Sequence, residues 1–139
     1  MEHVAIVVDD LPAAVEFFTE LGLEPAGEAT VEGAWVDRIV GLDDVRSEIA
    51  MLQTPDGQEI ELVKFHSPPS QSDDSPAPAN ALGLRHLTFA VDDLDATLAA
   101  LRPHGAELVG RLERYQDIYR LCYIRGPAGI IIELAEKLG

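Results

Sequence analysis

The chain is poor in cysteine and in positive charge. Cys122 is the single cysteine among 139 residues, which excludes an intrachain disulfide and a thiolate zinc cage. A lone thiol of this kind is expected to be a buried apolar group. Basic side chains number 10 against 25 acidic ones, for a net charge of −15; only Lys64 and Lys137 are lysines. Such a surface repels a phosphate backbone and an anionic membrane, so neither nucleic acid nor membrane is an expected partner. No apolar run approaches the roughly 18 residues of a membrane span, and Met1-Glu2-His3 lacks a charged n-region followed by an apolar stretch. A cytoplasmic location is the expectation. With 47% hydrophobic residues the chain can still bury a core, and its 15.1 kDa fit one domain or two half-sized modules.

What is present is a repeat. HVAIVVDDL at residues 3–11 returns as HLTFAVDDL at residues 86–94, and TPDGQEIELV at 54–63 returns as GPAGIIIELA at 126–135. The first offset is 83 residues (86 − 3) and the second 72 (133 − 61), so the later copy is 11 residues shorter between its helix and its final hairpin. Behind each first strand lies helical spacing, Leu11, Val15, Phe18 and Leu21 in one copy and Leu94, Leu98 and Leu101 in the other. An Asp pair suited to N-capping opens each helix and a glycine, Gly22 or Gly105, closes it. Further strands are expected over residues 30–38 and 107–113. Hairpins then pair 46–54 with 58–65, and 119–125 with 130–136.

The expected fold is α+β: tandem βαβββ modules, residues 1–66 and 83–139, forming a cupped, mostly antiparallel sheet with helices outside. Residues 67–82, SPPSQSDDSPAPANAL, hold four prolines and four serines, too many to carry a ladder or a helix, and read as the linker. A spacer of that length lets the halves pair within one chain or exchange with a second copy.

Strand alternation places His3 with Ala5 and Val7, opposite Val4, Ile6 and Val8, and places His86 with Thr88 and Ala90. The histidine side is the less bulky one in both copies, so it is expected to face a ligand while the bulky side packs on the helix. Glu61 and Glu133 stand in apolar strands, where an unpartnered carboxylate is costly. A pseudo-twofold pairing of the halves would gather His3, Glu61, His86 and Glu133. Two imidazoles and two carboxylates suit Zn, Ni, Co, Mn or Fe(II). Glu59, on the face of Glu61, is a weaker competitor. His66 and His104 lack repeat partners and are expected at the surface or beside a helix end. Trp35, Arg38, Tyr115, Tyr119, Arg120 and Tyr123 are expected in middle strands and loops as cavity rim.

These motifs resemble the vicinal oxygen chelate superfamily, which includes glyoxalase I, methylmalonyl-CoA epimerase, extradiol dioxygenases and bleomycin- and fosfomycin-resistance proteins. The likeness covers nearly the whole chain outside the linker. Its carriers, His3, Glu61, His86 and Glu133, match the superfamily's metal-ligand positions, and their order is similar to that of bacterial glyoxalase I. The resemblance implies a divalent-metal-dependent lyase or isomerase that chelates vicinal oxygens of a small-molecule substrate. It implies Glu133 first and Glu61 second as the carboxylates that shuttle a proton, and a homodimer. A metal-free sequestering protein, similar to bleomycin-resistance proteins, and an Fe(II) extradiol-type dioxygenase stand as alternatives.

Overall fold

The structure, a computed structural model, describes residues 1–71 and 76–139. Residues 72–75, inside the expected linker, lie outside the described residues. The chain divides into two compact units, Met1–Asp73 and Asp74–Gly139, and each is built from one copy of the repeat.

In the first unit, β1 (His3–Val7) leads into α1 (Leu11–Leu21), followed by β2 (Glu24–Glu32), α2 (Ala34–Val40), β3 (Arg46–Gln53) and β4 (Glu59–Ser67). The sheet order is β1-β4-β3-β2. β1 runs parallel to β4, and the other two pairings are antiparallel. Asp10 caps α1, its carboxylate accepting from the Ala13 N–H at 3.1 Å, and Pro12 in the first turn has no N–H to leave unpaired. Gly22 ends the helix at φ 116°, a conformation that costs a residue with a Cβ dearly. The face that α1 buries differs from the expected one: Ala14, Phe17 and Phe18 are buried, whereas Leu11, Val15 and Leu21 are only partly covered. The two phenylalanine rings meet edge to face at 5.3 Å, and their combined area turns that side of the helix inward. They pack in a core with Ile6, Leu52, Ile60 and Leu62.

The strand expected at 30–38 is displaced. β2 begins earlier, and Gly33 and Gly41 bracket α2, which holds Trp35 and Arg38. Asp37 ties this helix to the loop before β3, because its carboxylate accepts from the backbone N–H groups of Asp44 at 3.1 Å and Val45 at 2.8 Å. Val36 is its buried anchor. Trp35 and Arg38 are exposed on a helix and not on a middle strand. The extra length of the first copy is therefore folded, with α2 where the second copy has none.

In the second unit, β5 (His86–Ala90) leads into α3 (Leu94–Leu101), then β6 (Glu107–Leu108), β7 (Glu113–Tyr115), β8 (Tyr119–Arg125) and β9 (Ile131–Lys137). The order is β5-β9-β8-β6, with β7 also pairing β8. The β5–β9 pairing is parallel, the counterpart of β1–β4. Asp93 caps α3 by accepting from the Ala96 N–H at 3.0 Å. Leu94, Leu98 and Leu101 are all buried, as the helical spacing requires. The α-helix stops at Leu101 and tightens into a 3-10 turn over Arg102–His104 before Gly105, since Pro103 cannot donate an i→i−4 bond. The single strand expected at 107–113 is two short ones, interrupted around Gly110.

Both hairpins stand where the repeat puts them. The architecture is α+β, two mixed sheets with three α-helices among the described residues. No helix among them is long and apolar enough to cross a membrane.

Candidate metal centre

Sheet register decides which side chains share a face. In β1–β4 the Cα partners are His3 with Glu59 and Ala5 with Glu61; in β5–β9 they are His86 with Ile131 and Thr88 with Glu133. In each unit the glutamate thus lies opposite the residue two positions beyond the histidine. The antiparallel neighbour of Glu61 is Met51 and that of Glu133 is Tyr123. Side chains of paired residues project on the same side, so His3, Ala5, Met51 and Glu61 share one face, and His86, Thr88, Tyr123 and Glu133 share the equivalent face. The opposite faces carry Ile6, Leu52, Ile60 and Leu62 in the first unit and Cys122, Ile124, Ile132 and Leu134 in the second, all buried.

Two of the expected ligands meet directly. His3 Nε2 lies 3.1 Å from Glu61 Oε2, with side chains 33% and 20% exposed. The other ring nitrogen, Nδ1, is buried and makes no hydrogen bond, although the exposed Glu2 carboxylate is 3.5 Å away. Glu59, the direct partner of His3 in register, is not the carboxylate its ring faces. In the second unit Thr88 Oγ1 donates to Glu133 Oε1 at 2.8 Å, and the His86 and Tyr123 rings lie 5.0 Å apart, tilted by 39°. Within either unit by itself, no group of three His, Cys, Asp or Glu side chains gathers as a metal site among the described residues. Each unit carries one of the candidate histidines and one of the candidate glutamates.

Several expected rim residues lie elsewhere. Arg120 points to the helix side: its guanidinium donates to both Asp95 oxygens, at 3.0 and 3.1 Å, and is 3.5 Å from Glu136 Oε2. Register explains this, since Arg120 pairs with Glu136 and not with the Glu133 face. The Arg120 hydrogen bond holds the Asp95 carboxyl below the usual carboxylate range. His66 is inside β4, not beyond it, with Nε2 3.2 Å from Glu48 Oε1. His104 ends the turn after α3, as expected. Tyr115 and Tyr119 are exposed on β7 and β8, and Tyr123 alone of the tyrosines neighbours a candidate ligand in register. Cys122 is buried, and burial pushes its thiol pKa up. An open groove of about 720 Å³ in the first unit runs between α1 and β2–β3, past Leu11, Val15, Glu28 and Glu48. It does not include His3 or Glu61 and so is not the candidate centre.

The sequence profile of the Glyoxalase/Bleomycin resistance protein/Dioxygenase superfamily matches residues 2–123. The chain belongs to that superfamily. A glyoxalase family protein from Bacillus cereus of known structure is 51% identical, with a TM-score of 0.94 over 100% of this chain and 94% of that one. Among curated relatives, the uncharacterized protein YaeR of Escherichia coli K12 is 31% identical over 99% of this chain and 95% of its own length. A 2-epi-5-epi-valiolone epimerase from an Actinomyces species is 33% identical over 96% of this chain and 77% of its own. The superfamily thus contains enzymes, an epimerase among them.

Of the neighbours a candidate ligand meets, Thr88 is the one whose role sequence reasoning passed over. On the strand it counts as a small residue leaving room; its hydroxyl matters only once register sets it opposite Glu133. The period-two pattern places Thr88 on the histidine face but cannot say which carboxylate lies within reach.

Proposed function

We propose that this protein is a divalent-metal-dependent lyase or isomerase that moves a proton between adjacent carbons of a small metabolite bearing vicinal oxygens. His3, Glu61, His86 and Glu133 are its proposed ligands. The observation that carries this reading is the His3–Glu61 pair, an imidazole nitrogen and a carboxylate oxygen 3.1 Å apart on the face that also carries Ala5, Met51 and Glu59. Two donors held at right angles on an octahedral ion, each at about 2.1 Å, stand about 3.0 Å apart. The observed spacing is close to that figure. The second unit repeats the same histidine and glutamate positions in the same register, and the combined N/O donors suit Zn, Ni, Co, Mn or Fe(II).

When bound, such an ion supplies Lewis acidity that makes a C–H beside a chelated carbonyl easier to ionise. The proton itself is handled by the chain. With Oε1 hydrogen-bonded to the Thr88 hydroxyl, Glu133 would accept a proton from a substrate carbon on Oε2, when that oxygen is released from its ligand role, and return it to the neighbouring carbon. Glu61 is the second candidate, and its tie to His3 Nε2 holds it closer to a ligand role. The 33% identical relative named an epimerase supports this chemistry over sequestration. The protein is further proposed to be a homodimer, which light scattering on the full chain tests.

The test is solvent-deuterium exchange in D₂O, using protein loaded with each metal and a panel of hemithioacetal, acyl-CoA, catechol and 2-epi-5-epi-valiolone substrates. Catalysed C–H exchange or isomerisation of one oxygenated substrate, dependent on the ion, is the expected result. Ring opening of the catechol, or binding without exchange across the panel, overturns it.

A further inference from the structure

The two half-sites are not chemically equal. Glu61 lies in register between Ala5 and Met51, whereas Glu133 lies between Thr88 and Tyr123. One carboxylate is flanked by groups that offer no hydroxyl, the other by two residues that carry one. Of those, Thr88 makes the contact, donating from Oγ1 to Glu133 Oε1 at 2.8 Å.

We infer that Thr88 is a positioning residue for Glu133: its hydroxyl engages Oε1 and so favours Oε2 as the oxygen turned toward a metal ion or substrate. The inference rests on the metal-dependent reading above. A carboxylate on a flexible side chain can turn either oxygen, or both, toward a cation. A hydrogen bond to one oxygen takes up one of its two lone pairs and biases that choice, and the β-branched Thr88, stiff at χ1 in a strand, keeps its donor in place. Partners that orient a ligand in this way are worth about 10- to 100-fold in metal affinity or activity. Ala5, at the equivalent place in the first unit, cannot do the same for Glu61, whose close polar contact is His3.

The test is calorimetric titration of Mn(II) and of Zn(II) into the full-length chain at one fixed pH. It compares wild type with Thr88→Val, Thr88→Ala, Thr88→Ser and His86→Ala, each checked for fold by circular dichroism. Thr88→Val keeps the shape and loses the hydroxyl, Thr88→Ser restores the donor, and Thr88→Ala supplies a second hydroxyl-free variant should the valine perturb the strand. The expected result is about tenfold weaker metal binding in Thr88→Val and Thr88→Ala, recovery to within about threefold in Thr88→Ser, and loss of binding in His86→Ala. Once a substrate is in hand, kcat should fall more than KM rises in the hydroxyl-free variants. If wild type binds and His86→Ala does not, while Thr88→Val and Thr88→Ala match wild type, the positioning role is overturned and the metal reading stands. If wild type binds neither ion, both fall together.

Discussion

Arg120 and Asp95 form a two-pronged ion pair, both guanidinium N–H groups reaching both carboxylate oxygens at 3.0 and 3.1 Å, which fastens the first turn of α3 to β8. Glu136, on the neighbouring strand, completes the clamp. Its Oε2 is 3.5 Å from Arg120, and its Oε1 accepts from the Leu94 backbone N–H at 3.0 Å. Because Leu94 opens the buried stripe of α3, this polar cluster sets where the helix meets the sheet that carries Glu133.

The clamp makes stability depend on acid in a definite direction. Asp95 has its pKa lowered, chiefly by the Arg120 hydrogen bond. A carboxyl with a depressed folded-state pKa contributes stability above its unfolded value of about 3.9 and loses it as pH falls through the folded value. Arg120→Met should therefore lower Tm at pH 7 and lower it less below about pH 4. Thermal melts of both proteins across pH 2.5–7 check this, and a Tm gap that widens in acid contradicts it.

Glu136→Ala should cost about 1–2 kcal/mol, because it leaves the Leu94 N–H without its acceptor and removes a carboxylate from a helix N-terminus. Urea unfolding monitored by circular dichroism measures the loss. Unchanged stability would show that water replaces the carboxylate at no cost.

The repeated caps should behave alike. Asp10→Ala and Asp93→Ala each remove an acceptor from an N-terminal N–H, at about 1 kcal/mol apiece. Their sites share no element, so the double variant should lose the sum.

Cys122 should be inert in the native protein. It is 3% exposed, and burial pushes its pKa up, which keeps it a thiol and out of reach. Labelling by a thiol reagent at neutral pH should be slow in buffer and fast in denaturant. Rapid labelling of the folded chain would contradict this.

Glu133→Gln should still bind metal, more weakly, while turnover falls by about 10²- to 10⁴-fold, the usual worth of a positioned general base. Turnover retained near wild type reassigns the base, with Glu61→Gln the next variant to assay.

Much of the fold could be read from the sequence because the duplicated motifs carry their own boundaries. Asp10 and Asp93 cap where expected, Gly22 and Gly105 take left-handed conformations, and the hairpins turn through Gly57 and Gly129. Strand periodicity likewise puts His3 and His86 on the faces of Glu61 and Glu133. The misses share a cause, namely that they depend on partners distant in sequence. Gly33 and Gly41 turn an apolar stretch into α2 once Asp37 can reach the N–H groups of Asp44 and Val45. Arg120 leaves the rim because Glu136 and Asp95 lie on its side of the sheet. Thr88 gains its meaning from register with Glu133, which local patterning does not encode.

The most direct test of the account is the metal content of purified protein, measured by inductively coupled plasma mass spectrometry after reconstitution with Zn, Ni, Co, Mn or Fe(II) and exhaustive dialysis. About one equivalent of a divalent ion per His3, Glu61, His86 and Glu133 set is expected, lost in His3→Ala and in His86→Ala alike. Protein that retains none of these ions, or that retains them equally after either histidine is removed, would contradict it.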